Sequence, residues 1–177
     1  LGDVYKRQGA HRVARRLQDT GLPAGTRVAA YATNSDAYAL LFLACVTAGY
    51  VHVPVNFALK GGELAHALED SGAELLVADA GMLERVDQVR AEGRASALRH
   101  VWTMLPAGHA EPSVLQTARD ETLDAAAPEA EVSATDLAQL LYTSGTTSTP
   151  KGAMMSHRAL VAEYLSSIIA LDFTAED

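Results

Sequence analysis

Apolar residues along the chain follow two alternating patterns. Short apolar runs separated by Gly, Pro, Asn and Asp predict buried strands at residues 27–31, 50–54, 74–78 and 100–104. Between these runs, apolar residues at three- and four-residue spacing predict helices at residues 36–48, 62–71 and 82–91. Strands that alternate with helices are typical of an α/β fold with a mostly parallel sheet and crossover helices.

The N-terminal region predicts a further helix, with an apolar face formed by Ala10, Val13, Ala14 and Leu17. Three arginines lie off this face and are interpreted as a solvated surface: Arg12, Arg15 and Arg16. The first eight residues, LGDVYKRQ, resemble translated adapter sequence. We therefore expect residues 1–8 to be a non-native leader and exclude them from the interpretation of the fold.

The apolar run at residues 137–142 predicts one more strand, which leads into a loop rich in hydroxyl groups. The loop reads Tyr142-Thr-Ser-Gly-Thr-Thr-Ser-Thr-Pro-Lys-Gly152. Its hydroxyls, its glycine-flanked amides and its one ammonium suit a polyphosphate, which offers only acceptor oxygens and negative charge. A flexible linker is the alternative. Against it, apolar residues 153–155 and the helix N-cap candidate Ser156 follow the loop directly.

Two other loop chemistries do not fit the sequence. The Walker A pattern requires Ser or Thr after Gly-Lys, whereas here Pro150 precedes Lys151 and Gly152 follows it. The Ser-x-x-Lys string of penicillin-binding proteins, matched by Ser148 to Lys151, requires the first turn of a helix. No helical apolar pattern runs through this loop.

The stretch from Tyr142 to His157 resembles the phosphate-loop signature of the adenylate-forming enzymes, which include acyl-CoA synthetases, luciferases and peptide-synthetase adenylation domains. The match departs at Ser148, where glycine is usual. Residues 49–56 are similar to a second recurrent stretch, in which Asn56 stands as in many acyl-CoA ligases. The resemblance covers about residues 9–177 and implies the N-terminal portion of the large domain. The rest of that domain and the small C-terminal domain are expected outside this chain.

The resemblance implies an acid–thiol ligase, an AMP-forming acyl-CoA synthetase of fatty acid metabolism. Such enzymes use ATP and Mg²⁺ to convert a carboxylic acid to an acyl-adenylate, and coenzyme A then displaces AMP. It implies a catalytic Lys151, which neutralises charge on the leaving pyrophosphate, and a Thr143 that contacts Mg²⁺. The implied nucleotide-binding residues are Thr143, Ser144, Gly145, Thr146, Thr147, Ser148, Thr149, Pro150, Lys151 and Gly152.

Two alternatives to the acyl-CoA synthetase stay open. One is an adenylation domain that loads a carrier protein, and the other is a non-catalytic remnant that keeps an ATP- or phosphate-binding loop. The chain alone is expected not to catalyse the full reaction, because the resemblance places the adenine, ribose and C-terminal lysine sites downstream. The sequence predicts neither the acid substrate nor the oligomeric state.

Composition limits the classes of binding partner and the cellular compartment expected for this chain. The net charge of −8 argues against nucleic acid. The single cysteine, Cys45, lies in an apolar helical pattern, so we expect a buried residue in a reducing cytoplasm. The uncharged run at residues 37–55 is broken by Gly49 and Pro54, so it is interpreted as core rather than as a transmembrane segment.

Carboxylates and histidines elsewhere are weak candidates for chemistry. Residues 120–136 carry acidic side chains and no basic ones, interspersed with alanines, which favours a solvated connector over a catalytic or metal site. His52 is interpreted as a core or rim residue. His157 has two open interpretations, approach to substrate or phosphate and packing at the entry of the last helix.

Overall fold

The computed structural model describes residues 2–107, 112–143 and 150–171. The strands of these residues are β1 (Arg27–Tyr31), β2 (Val51–Pro54), β3 (Leu75–Ala78), β4 (His100–Thr103), β5 (Leu137–Thr143) and β6 (Lys151–Ser156). The helices are α1 (Gly2–Gln18), α2 (Asp36–Thr47), α3 (Gly61–Ser71), α4 (Leu83–Ala91), α5 (Val114–Arg119) and α6 (His157–Leu171). The strands form one sheet in the order β4–β3–β1–β2–β5–β6.

The sheet is parallel from β4 to β5, and only its last pairing, β5 with β6, is antiparallel. This arrangement confirms the predicted α/β class with a mostly parallel sheet. Strands β1 to β4 and helices α2 to α4 begin and end within one residue of the predicted bounds. Strand β6 is longer than the apolar step predicted at residues 153–155, because it pairs with β5 along most of its length.

Helices cover both faces of the sheet. On one face α1, α2 and α5 pack around buried residues such as Leu17 and Leu41. On the other face α3 and α4 pack around Leu64 and Val86. The crossover from β1 to β2 runs toward the β6 edge, and the next two run toward the β4 edge. Because such crossovers are right-handed, α2 lies on the face opposite α3 and α4.

Helix boundaries follow local side-chain and backbone chemistry. The Ser35 hydroxyl accepts a hydrogen bond from the Tyr38 N–H and so caps α2. Helix α3 is followed by the C-cap Gly72, which adopts a left-handed conformation with φ of 62°. The uncharged run at residues 37–55 becomes α2 and β2, as predicted. None of the helices in the described ranges is long and apolar enough to cross a bilayer.

Helix α1 begins at Gly2, upstream of the predicted apolar face, and it holds the acidic connector at residues 120–136. The Arg12 side chain donates to the Leu123 carbonyl, and the Arg15 side chain donates to the Ala126 carbonyl at 3.0 Å. Arg12 and Arg15 thus lie at the surface but also bind the connector, a contact that the sequence did not indicate. The exposed Arg16 fits the predicted solvated surface. The proposed leader at residues 1–8 concerns the origin of these residues and stays a prediction.

His52 and Cys45 lie in the core, as the sequence indicated. His52 is 1% exposed, and its ring makes edge-to-face contacts with Tyr38 and Phe42 on α2. Burial lowers the pKa of His52 to about 4, so the ring is neutral at pH 7. Burial raises the pKa of the Cys45 thiol well above its ordinary value, which keeps the thiol protonated and unreactive.

Candidate functional site

The two residues that bracket the hydroxyl-rich loop face each other across the β5–β6 hairpin. Thr143 ends β5, Lys151 begins β6, and the two form a cross-strand pair. Residues paired in this way project from the same face of a sheet, with their Cβ atoms about 5 Å apart. Both side chains are exposed. A hydroxyl and an ammonium can therefore reach one ligand at the mouth of the hairpin, the place where Thr143 and Lys151 flank the loop.

The predicted nucleotide-binding residues divide into two groups. One group lies within the described residues at the mouth of the hairpin: Thr143, Pro150, Lys151 and Gly152. The other predicted residues lie outside the described ranges: Ser144, Gly145, Thr146, Thr147, Ser148 and Thr149. Their roles, the catalytic role of Lys151 and the metal contact of Thr143 stay predictions.

Gly152 allows the two strands of the hairpin to pack closely. It pairs with Tyr142 across the strands. A Cβ atom at position 152 would lie 2.8 Å from Leu140 Cδ1 and 3.4 Å from Tyr142 Cζ. Side chains from β5 therefore occupy the space that any residue larger than glycine would need. The glycine of the motif has a packing function at this position.

Tyr142 ties the hairpin to helix α3. Its hydroxyl donates a hydrogen bond of 2.6 Å to Asp70 Oδ2, near the end of that helix. Burial, and then the hydrogen bond to the Asp70 carboxylate, raise the pKa of the Tyr142 hydroxyl above its ordinary value. The hydroxyl thus keeps its proton at physiological pH and acts as a donor. Asp70 lies near the end of the helix predicted at residues 62–71, and no local sequence signal indicates its contact with Tyr142.

A cavity of about 410 Å³ adjoins the mouth of the hairpin. Thr143 and Pro150 line it on one side, and Asn56 and His66 line it on the other. It lies beyond the carboxyl ends of β2 and β5, the edge at which open α/β sheets bind ligands. His66 Nε2 is buried there without a hydrogen-bond partner among the described residues. The mouth of the hairpin therefore faces a partly polar cavity rather than a packed interior.

Local hydrogen bonds fix the entry of helix α6, and both interpretations of His157 stay predictions. The Ser156 hydroxyl accepts a hydrogen bond from the Ala159 N–H and caps the helix, as predicted. The His157 N–H donates to the Asp136 carbonyl, which joins the connector to the helix entry. In the described ranges no group of three or more His, Cys, Asp or Glu side chains could hold a metal ion.

The acidic connector shows the local bonding of a loop. The carboxylates of Asp120, Asp124 and Asp136 accept hydrogen bonds from main-chain N–H groups two or three residues away. Such bonds stabilise turns. This geometry agrees with the interpretation of residues 120–136 as a connector, and it leaves the hairpin as the candidate site.

Comparison with known proteins identifies the family. A model of the AMP-binding enzyme family matches residues 5–177. The chain is 36% identical over 166 residues to a feruloyl-CoA synthase of Amycolatopsis, covering 94% of this chain and 30% of that protein. It is 34% identical over 155 residues to the fatty acid–[acyl-carrier-protein] ligase ScoC of Streptomyces coeruleorubidus, covering 86% of this chain and 27% of that protein.

A solved structure gives the same result. The ATP-bound MatB of Rhodopseudomonas palustris matches 98% of this chain and 32% of its own, with 34% identity and a TM-score of 0.78. The chain thus spans about 30% of the length of the curated relatives that it matches. The family model, the relatives and the fold agree, and the chain belongs to the family of AMP-binding enzymes, the adenylate-forming enzymes that the loop sequence resembles.

Proposed function

We propose that this chain supplies the phosphate-binding hairpin of an ATP-dependent ligase that activates a carboxylic acid as its acyl-adenylate. The observation that carries the proposal is the pairing of Thr143 with Lys151 at the mouth of the hairpin. This pairing presents a hydroxyl and a cation on one face of the sheet, at the two ends of a loop whose sequence matches the family signature. The solved relative described as ATP-bound supports ATP as the nucleotide.

In the proposed reaction, the hairpin holds the β- and γ-phosphates while the carboxylate attacks the α-phosphorus. Pyrophosphate leaves, and its negative charge grows as the bond to the α-phosphorus breaks. Lys151, at the start of β6, stabilises this charge. Nucleotidyl transfer depends chiefly on such positioning and charge stabilisation. The amides and hydroxyls of residues 144–149 complete the phosphate contacts.

The Thr143 hydroxyl fits the proposed contact with Mg²⁺, because magnesium prefers hard oxygen ligands and keeps several of its waters. The exposure of Thr143 leaves room for such a hydrated ion beside the phosphates. Bound Mg²⁺ would supply charge neutralisation on the triphosphate. Thr143 would contribute one oxygen ligand, and Lys151 opposite it would contribute a further positive charge.

Coenzyme A is the proposed thiol acceptor. Asn56, which favours an acyl-CoA ligase by resemblance, lines the cavity beside Thr143. Its side-chain oxygen accepts a hydrogen bond of 2.9 Å from the Ala58 N–H, so it shapes the loop that forms the cavity wall. The similarity to feruloyl-CoA synthase supports coenzyme A, and the similarity to ScoC supports the carrier-protein alternative. We place the enzyme in the cytoplasm and in the metabolism of fatty or related acids.

The test is a ligase assay on the protein encoded by the gene, with the reading frame followed beyond Asp177. ATP–pyrophosphate exchange is measured with a panel of carboxylic acids, and thioester formation is measured with coenzyme A and with carrier protein. We expect acid-dependent exchange and thioester formation with coenzyme A. Thioester formation with carrier protein alone supports the carrier alternative. Absence of exchange with every acid, despite ATP binding, supports the non-catalytic remnant and contradicts the proposal.

Lys151→Ala tests the assigned role in the same protein. Loss of a charge-stabilising group typically lowers such a step by about 100-fold, so we expect this loss in the exchange reaction. The thioester step from preformed acyl-adenylate should change much less, because pyrophosphate has already left. Equal losses in both half-reactions would contradict the role of Lys151 in pyrophosphate departure.

A further inference from the structure

We infer that Asp70 is a positioning residue for the phosphate-binding hairpin and acts through the hydroxyl of Tyr142. The inference rests on the proposed function, since it names what holds the hairpin in place. Asp70 lies 72 residues before Tyr142 in the sequence, at the C-terminal end of α3. The 2.6 Å hydrogen bond between them joins a helix to the strand that leads into the loop.

The end of β5 extends beyond its parallel neighbour. In the described residues, β5 pairs with β2 at one register position, Gln139 with His52. From Leu140 to Thr143, the strand is paired with β6 alone. Because β6 is the edge of the sheet, the sheet ladder leaves this part of the hairpin supported on one side. A side-chain contact to another element therefore restricts the movement of this part of the hairpin.

Tyr142 transmits that contact to both strands of the hairpin. It lies on β5, and its ring is close to Gly152 on β6. The next cross-strand pair toward the loop is Thr143 with Lys151. Fixing the Tyr142 side chain therefore restrains both strands at the cross-strand pair next to Thr143 and Lys151, the two groups proposed to hold metal and phosphate. Groups such as Thr143 and Lys151 that are held in their binding geometry lose less conformational entropy when the ligand binds.

Helix α3 is a suitable anchor because it is held firmly in the core. Leu64 and Leu68 are at most 1% exposed, and the Ser71 hydroxyl bonds back to the Ala67 carbonyl at 2.7 Å. The acceptor on this helix is a carboxylate, and charge-assisted hydrogen bonds are stronger than neutral ones. The geometry thus combines a helix fixed in the core, a charged acceptor and a strand end that pairs with β6 alone.

The neighbouring carboxylate provides a matched control. Glu69 Oε1 accepts a hydrogen bond of 2.7 Å from Arg94 Nε and another from the Ala95 N–H. It therefore ties α3 to the segment after α4, on the side away from the hairpin. Loss of Glu69 should weaken the fold without releasing the loop. Asp70 and Glu69 are adjacent carboxylates with separate tasks, which allows a purely structural effect to be recognised.

The experiment measures binding of inorganic tripolyphosphate to the 177-residue chain by ³¹P NMR titration, with urea unfolding of each variant. Loss of a hydrogen bond to a charged partner should weaken affinity by about fivefold in Asp70→Ala and in Tyr142→Phe. The double variant should bind no more weakly than either single one, because both remove the same bond. Asp70→Asn, which keeps an acceptor oxygen, should retain most of the affinity. Glu69→Ala should lose stability and keep its affinity.

The outcomes separate this inference from the proposed function. Wild-type affinity in Asp70→Ala, or equal weakening in Asp70→Ala and Glu69→Ala, overturns the inference while leaving the phosphate site intact. Additive losses in the double variant also overturn it, since the two residues would then act separately. Absence of saturable binding by the wild-type chain overturns both the phosphate site and its positioning.

Discussion

Thr143 and Lys151 form the last cross-strand pair of the β5–β6 hairpin, on either side of the loop that carries the family signature. The strand order places the proposed phosphate site at a favourable edge of the sheet. The parallel strands direct their carboxyl ends to one edge of the sheet, where open α/β sheets bind ligands. The antiparallel return of the chain through β6 then brings a lysine back to that edge. The fold thus supplies the geometry, and the loop supplies the donors.

Substitution of Gly152 tests the close packing of the hairpin. Gly152→Ala places a Cβ atom against the Leu140 methyl group and the Tyr142 ring, so we expect a loss of about 1 kcal/mol in the free energy of unfolding. Gly152→Val should cost more, because its side chain is larger. Urea unfolding measures both. Gly81→Ala is the control, since its new Cβ would meet nothing within 4 Å. Equal effects at positions 81 and 152 would contradict the packing argument.

Protonation of His52 should destabilise the fold in mild acid. Burial holds the pKa of His52 near 4 in the folded chain, whereas an unfolded histidine has a pKa of about 6.5. Between these values the unfolded chain binds the proton more tightly, so stability falls as pH falls. The contribution is on the order of 3 kcal/mol across this window. His52→Leu should flatten this part of the pH profile, measured by urea unfolding at each pH.

The control for this experiment is a histidine outside the core. His100, half-exposed at the start of β4, can be replaced by Gln. This variant should keep the same slope of stability against pH between about 4 and 6.5. A wild-type slope in His52→Leu would show that other groups cause the acid sensitivity.

The contacts between α1 and the acidic connector should protect the connector from proteolysis. Arg15 donates to the carbonyls of Ala126 and Ala127 and forms a 3.3 Å ion pair with Asp124. Loss of about 1 kcal/mol of hydrogen bonding in Arg15→Ala should raise the open population about fivefold. Cleavage by a glutamate-specific protease after Glu129 should accelerate by this factor. Arg16→Ala, which removes an exposed charge from the same helix, should cleave at the wild-type rate.

Helix α6 should limit the solubility of the chain. Its exposed apolar side chains form a contiguous patch of the kind that promotes association: Val161, Tyr164, Leu165, Ile168 and Ile169. Ile169, 81% exposed, can become Glu without loss of packing, so Ile169→Glu should raise solubility and leave stability unchanged. Leu160→Glu is the contrasting variant, because Leu160 is 5% exposed and burial of its carboxylate should unfold the chain. Unchanged solubility of Ile169→Glu would contradict this assignment.

Local chemistry explains why much of the fold could be predicted. The N-cap Ser35 and the C-cap Gly72 act within a few residues of the helices that they bound, and such local signals are what allowed the bounds of α2 and α3 to be predicted. The apolar runs that became β1 to β4 are likewise local signals. The hydroxyl-rich loop was recognised for the same reason, since its residue types and their spacing lie in one short stretch.

Features that depend on distant partners could not be predicted. Strand β6 contains Gly152 and two methionines, which favour no strand strongly, and it is defined by pairing with β5. Arg15 meets a connector more than 100 residues away, and Asp70 meets Tyr142 at a separation of 72. The apolar residues of α6 recur at helical spacing, but periodicity does not show whether a neighbouring element covers the apolar stripe.

The most direct test of the central claim is the affinity of the chain for tripolyphosphate, measured by ³¹P NMR for the wild type and Lys151→Ala. Because Lys151 provides the cation at the mouth of the hairpin, we expect the substitution to weaken binding by at least about tenfold. Arg90→Ala removes the same unit of charge from α4, beside the opposite edge of the sheet, and should bind as the wild type does. Equal affinity of Lys151→Ala and the wild type would contradict the assignment of the β5–β6 hairpin as the phosphate site.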